Sequence, residues 1–449
     1  MQQVQFLKLK FCGLKIEKSS IMDSIICRAI VYIFTALMNS KFQRVGYMLV
    51  GKRFLRNYSL LACIVISSSA LAQQSAMDAF YEVTGVSVEK SPGTLVRVAE
   101  YSNSRLTGAA SSRIMYLSVD ALGQTVPATA AVAIPRGEPP KGGWPIIAWA
   151  PGTVGIGKKC APSMTDNLSK YGPYLQGWID RGYAIVAVDY SGLGTTGRHF
   201  YSHRESNARD VIEAVKAAIF SYPQLSRAFV AMGHSQGGLA AVGVAETIGN
   251  LDISPLQYKG AVAFAPSNGA NHGYFRFVER AGVSEPTLLA YMLYYSATLK
   301  LATPGLQYSD QMSSEMEELM PAAEHQCLDE LRTTLKSAVS FPKHFIKSSW
   351  VQHPALKKYS EKNQAGQRKT TGPLFIAWGT SDSSISKNML DTIILPSCRH
   401  GSDIQFSQYT GASHSTVLVQ SRVDVAAWLG QQFSDNFKSP ACGDAFKAS

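Results

Sequence analysis

Four continuous apolar runs mark the middle of the chain: residues 145–150, 183–188, 228–232 and 260–265. Runs without alternation suit strands buried on both faces. Helical patterns lie between them. Residues 174–181 form one. Residues 209–220 form another, with Val211, Ile212, Val215 and Ile219 on one side. The small-residue stretch 238–245 is a third. Strand and helix repeating in this way predict a parallel α/β sheet with helices on its faces. Ahead of them, residues 95–101, 114–119 and 125–134 read as strands, the last two joined by the turn Asp120-Ala121-Leu122-Gly123. These predict an antiparallel opening to the sheet.

The rhythm then stops for 106 residues, 267–372, far too many for a loop. Helix formers and aromatics fill this stretch, among them Tyr274, Phe275, Phe277, Tyr291, Tyr294 and Tyr295. It is expected to be a helical insertion whose aromatics mostly form its own core. Residues 361–371, mostly polar, read as a solvated hinge between insertion and core. The strand pattern resumes at 373–378, followed by a helix over 387–395, a strand over 404–409 and one closing helix over 416–433. No internal repeat is visible.

The formal net charge of +11 raises nucleic acid or a membrane as partners, and its location argues against both. Ten of the 43 Lys and Arg, but only Glu17 and Asp23 of the acids, fall in residues 1–72; the remainder carries 33 basic against 30 acidic side chains. No basic stripe with interleaved aromatics is present to hold phosphates. The leader explains the excess. Lys52, Arg53 and Arg56 form a positive region, residues 60–66 begin an apolar one, and Ala70-Leu71-Ala72 fits a small-x-small cleavage site. Residues 48–72 therefore read as a signal peptide starting at Met48 and cleaved after Ala72, which predicts a secreted or periplasmic protein. Residues 1–47 show no role and suit an upstream start-site artefact. A membrane anchor is the competing reading of the apolar runs. Cys160, Cys327, Cys398 and Cys442 remain beyond the leader, an even number with no C-x-x-C spacing, so two disulfides are expected. Of the three pairings, Cys160–Cys327 with Cys398–Cys442 is favoured.

The candidate chemistry is concentrated in Gly233-His234-Ser235-Gln236-Gly237. As a bare pattern, G-x-S-x-G is weak. Here a strand precedes it and a helix follows, and that context places Ser235 at the apex of a strained turn with its hydroxyl clear of the sheet. The Gln236 N–H would sit at a helix N-terminus, where developing negative charge is stabilised. A nucleophilic serine needs a base, and the base a partner to fix its tautomer. In open parallel sheets such groups collect at the C-terminal ends of strands. Asp382 follows the 373–378 strand and His414 the 404–409 strand, completing the order Ser, Asp, His. Turn-capping roles are the competing readings. Asp391, inside a helix pattern, and Asp189, at another strand end, are weaker candidates for the acid. His234 reads as structural. A second oxyanion donor is expected in Ala150-Pro151-Gly152-Thr153-Val154-Gly155, with Thr153 giving the N–H and Gly152 making the turn. The Gly-bearing loop 189–194 lacks a G-x-G-x-x-G pattern or a P-loop lysine, so nucleotide binding is rejected.

With these residues in place the chain resembles the α/β-hydrolase superfamily, and within it the secretory lipases of fungi and bacteria. The matching residues are Gly-His-Ser-Gln-Gly-Gly at 233–238, Pro-Gly-Thr at 151–153, Asp-Tyr-Ser-Gly-Leu-Gly at 189–194, the insertion before the acid strand, Asp382 and His414. The resemblance covers about residues 80–435. It implies a mostly parallel twisted sheet with flanking helices, a core over 73–266 and 373–449, and the 267–372 insertion as a lid over an acyl pocket. It implies extracellular hydrolysis of carboxylic esters, often acylglycerols, with no metal or organic cofactor. The partners implied are an ester or lipid substrate and transient contact with a lipid interface through the lid, with no nucleic acid and no obligate protein partner. Many α/β hydrolases have His-Gly where this chain has Ala150-Pro151-Gly152, which leaves the second oxyanion donor open. Two other functions compete: a different acyl-transfer enzyme on the same fold, such as a peptidase or acyltransferase, and a non-enzymatic binding protein.

Overall fold

The computed structural model describes residues 77–434 and Cys442, except 269–271, 283 and 338–344. The leader and its cleavage site lie outside the described residues. Phe80–Ser449 forms one compact unit; of the preceding unit, Met1–Ala79, only the helical residues 77–79 are described.

Among the described residues, nine strands form one sheet in the order β1-β2-β3-β5-β4-β6-β7-β8-β9. Strands β1 (Leu95–Glu100), β2 (Ala109–Val119) and β3 (Thr125–Pro135) pair antiparallel, and β3 meets β5 (Ala184–Val188) antiparallel. From β5 onward all neighbours are parallel: β4 (Trp144–Ala150), β6 (Leu225–His234), β7 (Gln257–Phe264), β8 (Leu374–Gly379) and β9 (Ile404–Tyr409). The continuous apolar runs account for this. Every residue of β5 and β8 is buried, as strands covered by helices on both faces must be. One face packs Ile146, Ala148, Phe229 and Ala231 against helices α2 (Arg204–Ser221) and α3 (Gln236–Thr247). The other packs Trp149, Val230, Met232 and Phe264 with Trp178 of α1 (Gly172–Ile179) and Trp428. The 12 residues of α3 are all buried, which its Gly and Ala content permits.

Between β7 and β8 the chain runs through eight helical segments among the described residues, α4 (His272–Ala281) to α11 (Pro354–Asn363). Phe275, Tyr294 and Tyr295 lie in a separate apolar cluster with Leu293, Met316 and Trp350. Phe277 departs from the expected aromatic core and is 58% exposed.

Two expectations need correction. The polar stretch 361–371 is only partly solvated: Glu361, Lys362, Gln367, Arg368, Lys369 and Thr371 are exposed, but Asn363, Ala365 and Thr370 are buried. The Asn363 side chain accepts the Arg204 N–H at 2.6 Å and donates to the Ser202 carbonyl. The Gly366 N–H donates to the buried Glu246 carboxylate. Asn363 and Gly366 thus answer buried partners rather than water. The closing helix, expected to be continuous, is divided into Val417–Gln420 and Arg422–Gln432. At the break the Val417 carbonyl accepts both the Ser421 N–H at 3.0 Å and the Ser421 hydroxyl at 2.6 Å. Between β8 and β9 lies Lys387–Arg399, longer than the 387–395 expected.

Candidate active site

Because β5 leaves one side of β4 and β6 the other, successive connections diverge at β4 and open a crevice at the C-terminal strand ends. Ser235 follows β6 there. Its φ of 58° and ψ of −114° lie outside the usual regions for a residue with a Cβ. Its N–H donates to the Phe264 carbonyl and its carbonyl accepts from Leu239 and Ser267, so the main chain holds the strained turn from both sides. A Cβ on Gly237 would collide with the Ala150 carbonyl, so only glycine lets the turn approach the β4 loop this closely. Ser235 is 8% exposed, and its hydroxyl has no hydrogen-bond partner among the described residues.

Asp382 and His414 come from the loops after β8 and β9. His414 Nδ1 lies 2.7 Å from Asp382 Oδ2. The other carboxylate oxygen accepts the N–H groups of Ser384 and Ile385 at 2.8 and 2.9 Å, and the carboxylate is fully covered. With the carboxylate accepting, His414 Nδ1 donates and Nε2 is left to take a proton. The His414 ring lies 4.6 Å, centroid to centroid, from that of His234, the neighbour of Ser235. The alternative acids are committed elsewhere. Asp189 is buried, bonded to Thr129 and Ser163, and pushed up to about 6 by burial. Asp391 pairs with Lys387 at 2.7 Å along its helix.

Gly152 and Thr153 sit in the loop after β4. The Gly152 N–H donates to the Tyr171 hydroxyl at 3.0 Å, which removes it from the candidate oxyanion donors. Its lack of a side chain is what matters, since a Cβ there would strike that hydroxyl. The Thr153 N–H has no partner among the described residues, while its hydroxyl meets Tyr201 Oη at 2.8 Å. Gln236 starts α3, so its N–H has no intrahelical acceptor. Its side chain donates to His199 Nε2 at 2.9 Å and to Asn207 at 3.3 Å. His199 donates in turn from Nδ1 to the Ser191 carbonyl at 3.1 Å. This tautomer is neutral, and burial pushes His199 down to about 4. Tyr171, His199, Tyr201 and Asn207 escaped the sequence reading, because single polar residues, three in loops and Asn207 in α2, carry no periodicity of their own. Among the described residues no group of three or more His, Cys, Asp or Glu is placed to hold a metal.

The sequence matches the alpha/beta hydrolase family model over residues 171–427, and the chain belongs to that family. No curated protein sequence is detectably similar. Among solved structures it is similar to Candida antarctica lipase A in its closed state, with 17% identity over 79% of this chain and 85% of that one and a TM-score of 0.64. It is also similar to a putative hydrolase of Legionella pneumophila, 18% identical over 76% of this chain and 100% of that one, TM-score 0.63. The rice cell wall degrading esterase LipA of Xanthomonas oryzae is 15% identical over 76% and 98% of the two chains, TM-score 0.60. At these identities the likeness is one of fold. Both cysteine pairs favoured from the sequence, Cys160–Cys327 and Cys398–Cys442, are joined as disulfides. No helix of the described residues is long and apolar enough to cross a membrane.

Proposed function

We propose that the protein is a serine carboxylic ester hydrolase, a lipase or esterase exported through its leader and acting on acylglycerols or related esters. The observation that carries this reading is the 2.7 Å contact between His414 and Asp382, beside a serine held at φ 58° at the start of a helix. Ser235 Oγ attacks the ester carbonyl as its proton passes to His414 Nε2. Asp382 fixes the imidazole and stabilises its charged form. The N–H groups of Gln236 and Thr153 bind the oxyanion. The tetrahedral intermediate expels the alcohol, which leaves with the proton from His414. Water, deprotonated by His414, then attacks the acyl-enzyme and releases the acid. The helical insertion serves as a lid over the acyl pocket. Structural likeness to a lipase and to an esterase supports the ester class, and paired cysteines support the oxidising destination.

The test is hydrolysis of p-nitrophenyl esters of short to long acyl chains by the full chain, beside Ser235→Ala. Activity that disappears in the variant is expected, and the preferred chain length separates esterase from lipase. A folded wild-type protein inert towards every ester but active on an amide would replace this reading with a peptidase.

A further inference from the structure

One imidazole that the proposed reaction does not use touches three parts of the site. His234 ends β6, directly before Ser235, and is 2% exposed. Its Nε2 lies 2.7 Å from the main-chain oxygen of His414. A carbonyl only accepts, so Nε2 carries the proton. Nδ1 is then the bare nitrogen of a neutral ring, and the Tyr171 hydroxyl donates to it across 3.0 Å. That same hydroxyl accepts the Gly152 N–H at 3.0 Å. Every donor and acceptor in the chain Gly152, Tyr171, His234, His414 is matched.

We propose that His234 and Tyr171 form a positioning relay that locks the base loop and the oxyanion loop to the strand carrying the nucleophile. The inference rests on the ester-hydrolase reading above. His414 and Thr153 both stand on irregular loops, where the sheet's hydrogen-bond ladder does not reach. The relay extends that rigidity to both through main-chain groups, the His414 carbonyl and the Gly152 N–H. Burial, with the neighbouring His414 adding to it, holds the His234 pKa well below its ordinary value, so Nδ1 stays an acceptor. His234 touches no reacting atom in this scheme. It sets the register of those that do.

The two nitrogens can be separated by substitution. The amide nitrogen of His234→Gln can stand near Nε2 and keep the bond to His414, while the amide oxygen of His234→Asn can stand near Nδ1 and keep the bond from Tyr171. Tyr171→Phe removes only the hydroxyl. The readouts are kcat and KM on p-nitrophenyl butyrate and the rate of fluorophosphonate labelling, with thermal unfolding followed in parallel. His234→Asn and Tyr171→Phe are expected to lower kcat and labelling by about tenfold to a hundredfold, the scale of a small misplacement, with KM unchanged. His234→Gln is expected to recover much of the kcat lost in His234→Asn. Wild-type kcat in both His234→Asn and Tyr171→Phe overturns the relay. So does a loss of activity that tracks lost thermal stability and is not relieved by His234→Gln. A wild-type chain inert to esters and phosphonate alike defeats the ester-hydrolase reading instead. Should the variants unfold, nitrogen NMR of the histidine-labelled wild-type chain still decides. His234, assigned through contacts to Tyr171, is expected to keep a protonated Nε2 and a bare Nδ1 from about pH 5 to 8, the range in which free histidine titrates. A protonated Nδ1 overturns the relay.

Discussion

Cys160 and Cys327, 167 residues apart in sequence, join the β4 loop region to the helical insertion, and the chain reinforces that join at two further points. Gly155 forms an isolated antiparallel bridge with Cys327, and the Leu328 N–H donates to the Val154 carbonyl at 2.8 Å. The loop that holds Thr153 is therefore fixed to the insertion. Cys398 and Cys442, 44 residues apart in sequence, close a shorter loop that includes β9, with the Cys442 sulfur beside the Ser402 carbonyl. Replacing Cys160 and Cys327 together by serine is expected to cost about 2–5 kcal/mol of stability and to reduce ester turnover even under conditions where the chain stays folded. The Cys398–Cys442 link closes the shorter loop and restricts the unfolded chain less, so replacing that pair is expected to cost less, with turnover per folded molecule unchanged. Denaturant midpoints and kcat for the two pairs check both statements.

The neutral His199 makes stability depend on pH in a defined direction. Its folded pKa, about 4, lies below that of an unfolded histidine, so between these values the unfolded chain binds a proton that the folded one refuses. Its contribution is present above the unfolded pKa and is lost as pH falls towards about 4. Buried Asp210, pushed up to about 7, and Asp189, pushed up to about 6, act in the opposite sense, since each is protonated more readily in the folded state. Their contribution is lost as pH rises through those values. The wild-type profile mixes the two signs. Comparison with His199→Gln isolates one, because the aspartates are common to both chains. From about pH 7 to pH 5 the wild type is expected to lose on the order of 1–2 kcal/mol more than the variant. Urea unfolding of both chains at the two pH values gives the number.

Arg204 and Glu246 form a buried ion pair, with side chains 2% and 0% exposed, where α2 and α3 meet the segment returning from the insertion. Glu246 also accepts the Gly366 N–H, and the Arg204 N–H donates to Asn363. Glu246→Leu leaves a guanidinium buried without its counter-charge and is expected to destabilise the fold by about 3–5 kcal/mol. The double change Arg204→Met, Glu246→Leu removes both charges and is expected to recover much of that loss. A double as unstable as the single would show that the main-chain contacts, rather than charge balance, hold the segment.

The same ion pair shows where reading the sequence stops. The core strands were legible because burial on both faces imprints an unbroken apolar run: β5 lies within 183–188, and 228–232 lies inside the longer β6. The elbow was legible because one short segment holds strand, glycines, serine and helix in fixed order. The polar stretch 361–371 misled because a residue that answers a buried charge 100 or more positions away is written with the same letters as one facing water. Asn363 and Gly366 reach Arg204 and Glu246 across such gaps. Gly152 illustrates a finer limit. Its position in the loop was readable, but the destination of its N–H depends on Tyr171, which only folding brings to it.

Tyr201 offers the most direct test of how the insertion bears on the loop proposed to bind the oxyanion. Its hydroxyl meets Thr153 Oγ1 at 2.8 Å, and its ring packs against Tyr295 at 4.9 Å and Tyr294 at 5.5 Å, both on the long insertion helix α5 (Pro286–Ala302). Thr153 is 7% exposed and Tyr201 is 3% exposed, so neither hydroxyl has ready recourse to water. Thr153→Val or Tyr201→Phe alone is expected to cost about 1–3 kcal/mol, the penalty of leaving one buried polar group unmatched. The double variant leaves neither unmatched and is expected to cost less than the sum of the two. If the hydroxyl pair also holds the Thr153 N–H in place, each single variant loses kcat on short esters with little change in KM. The double variant does not recover that loss, because apolar contact restores packing but not the direction of the loop.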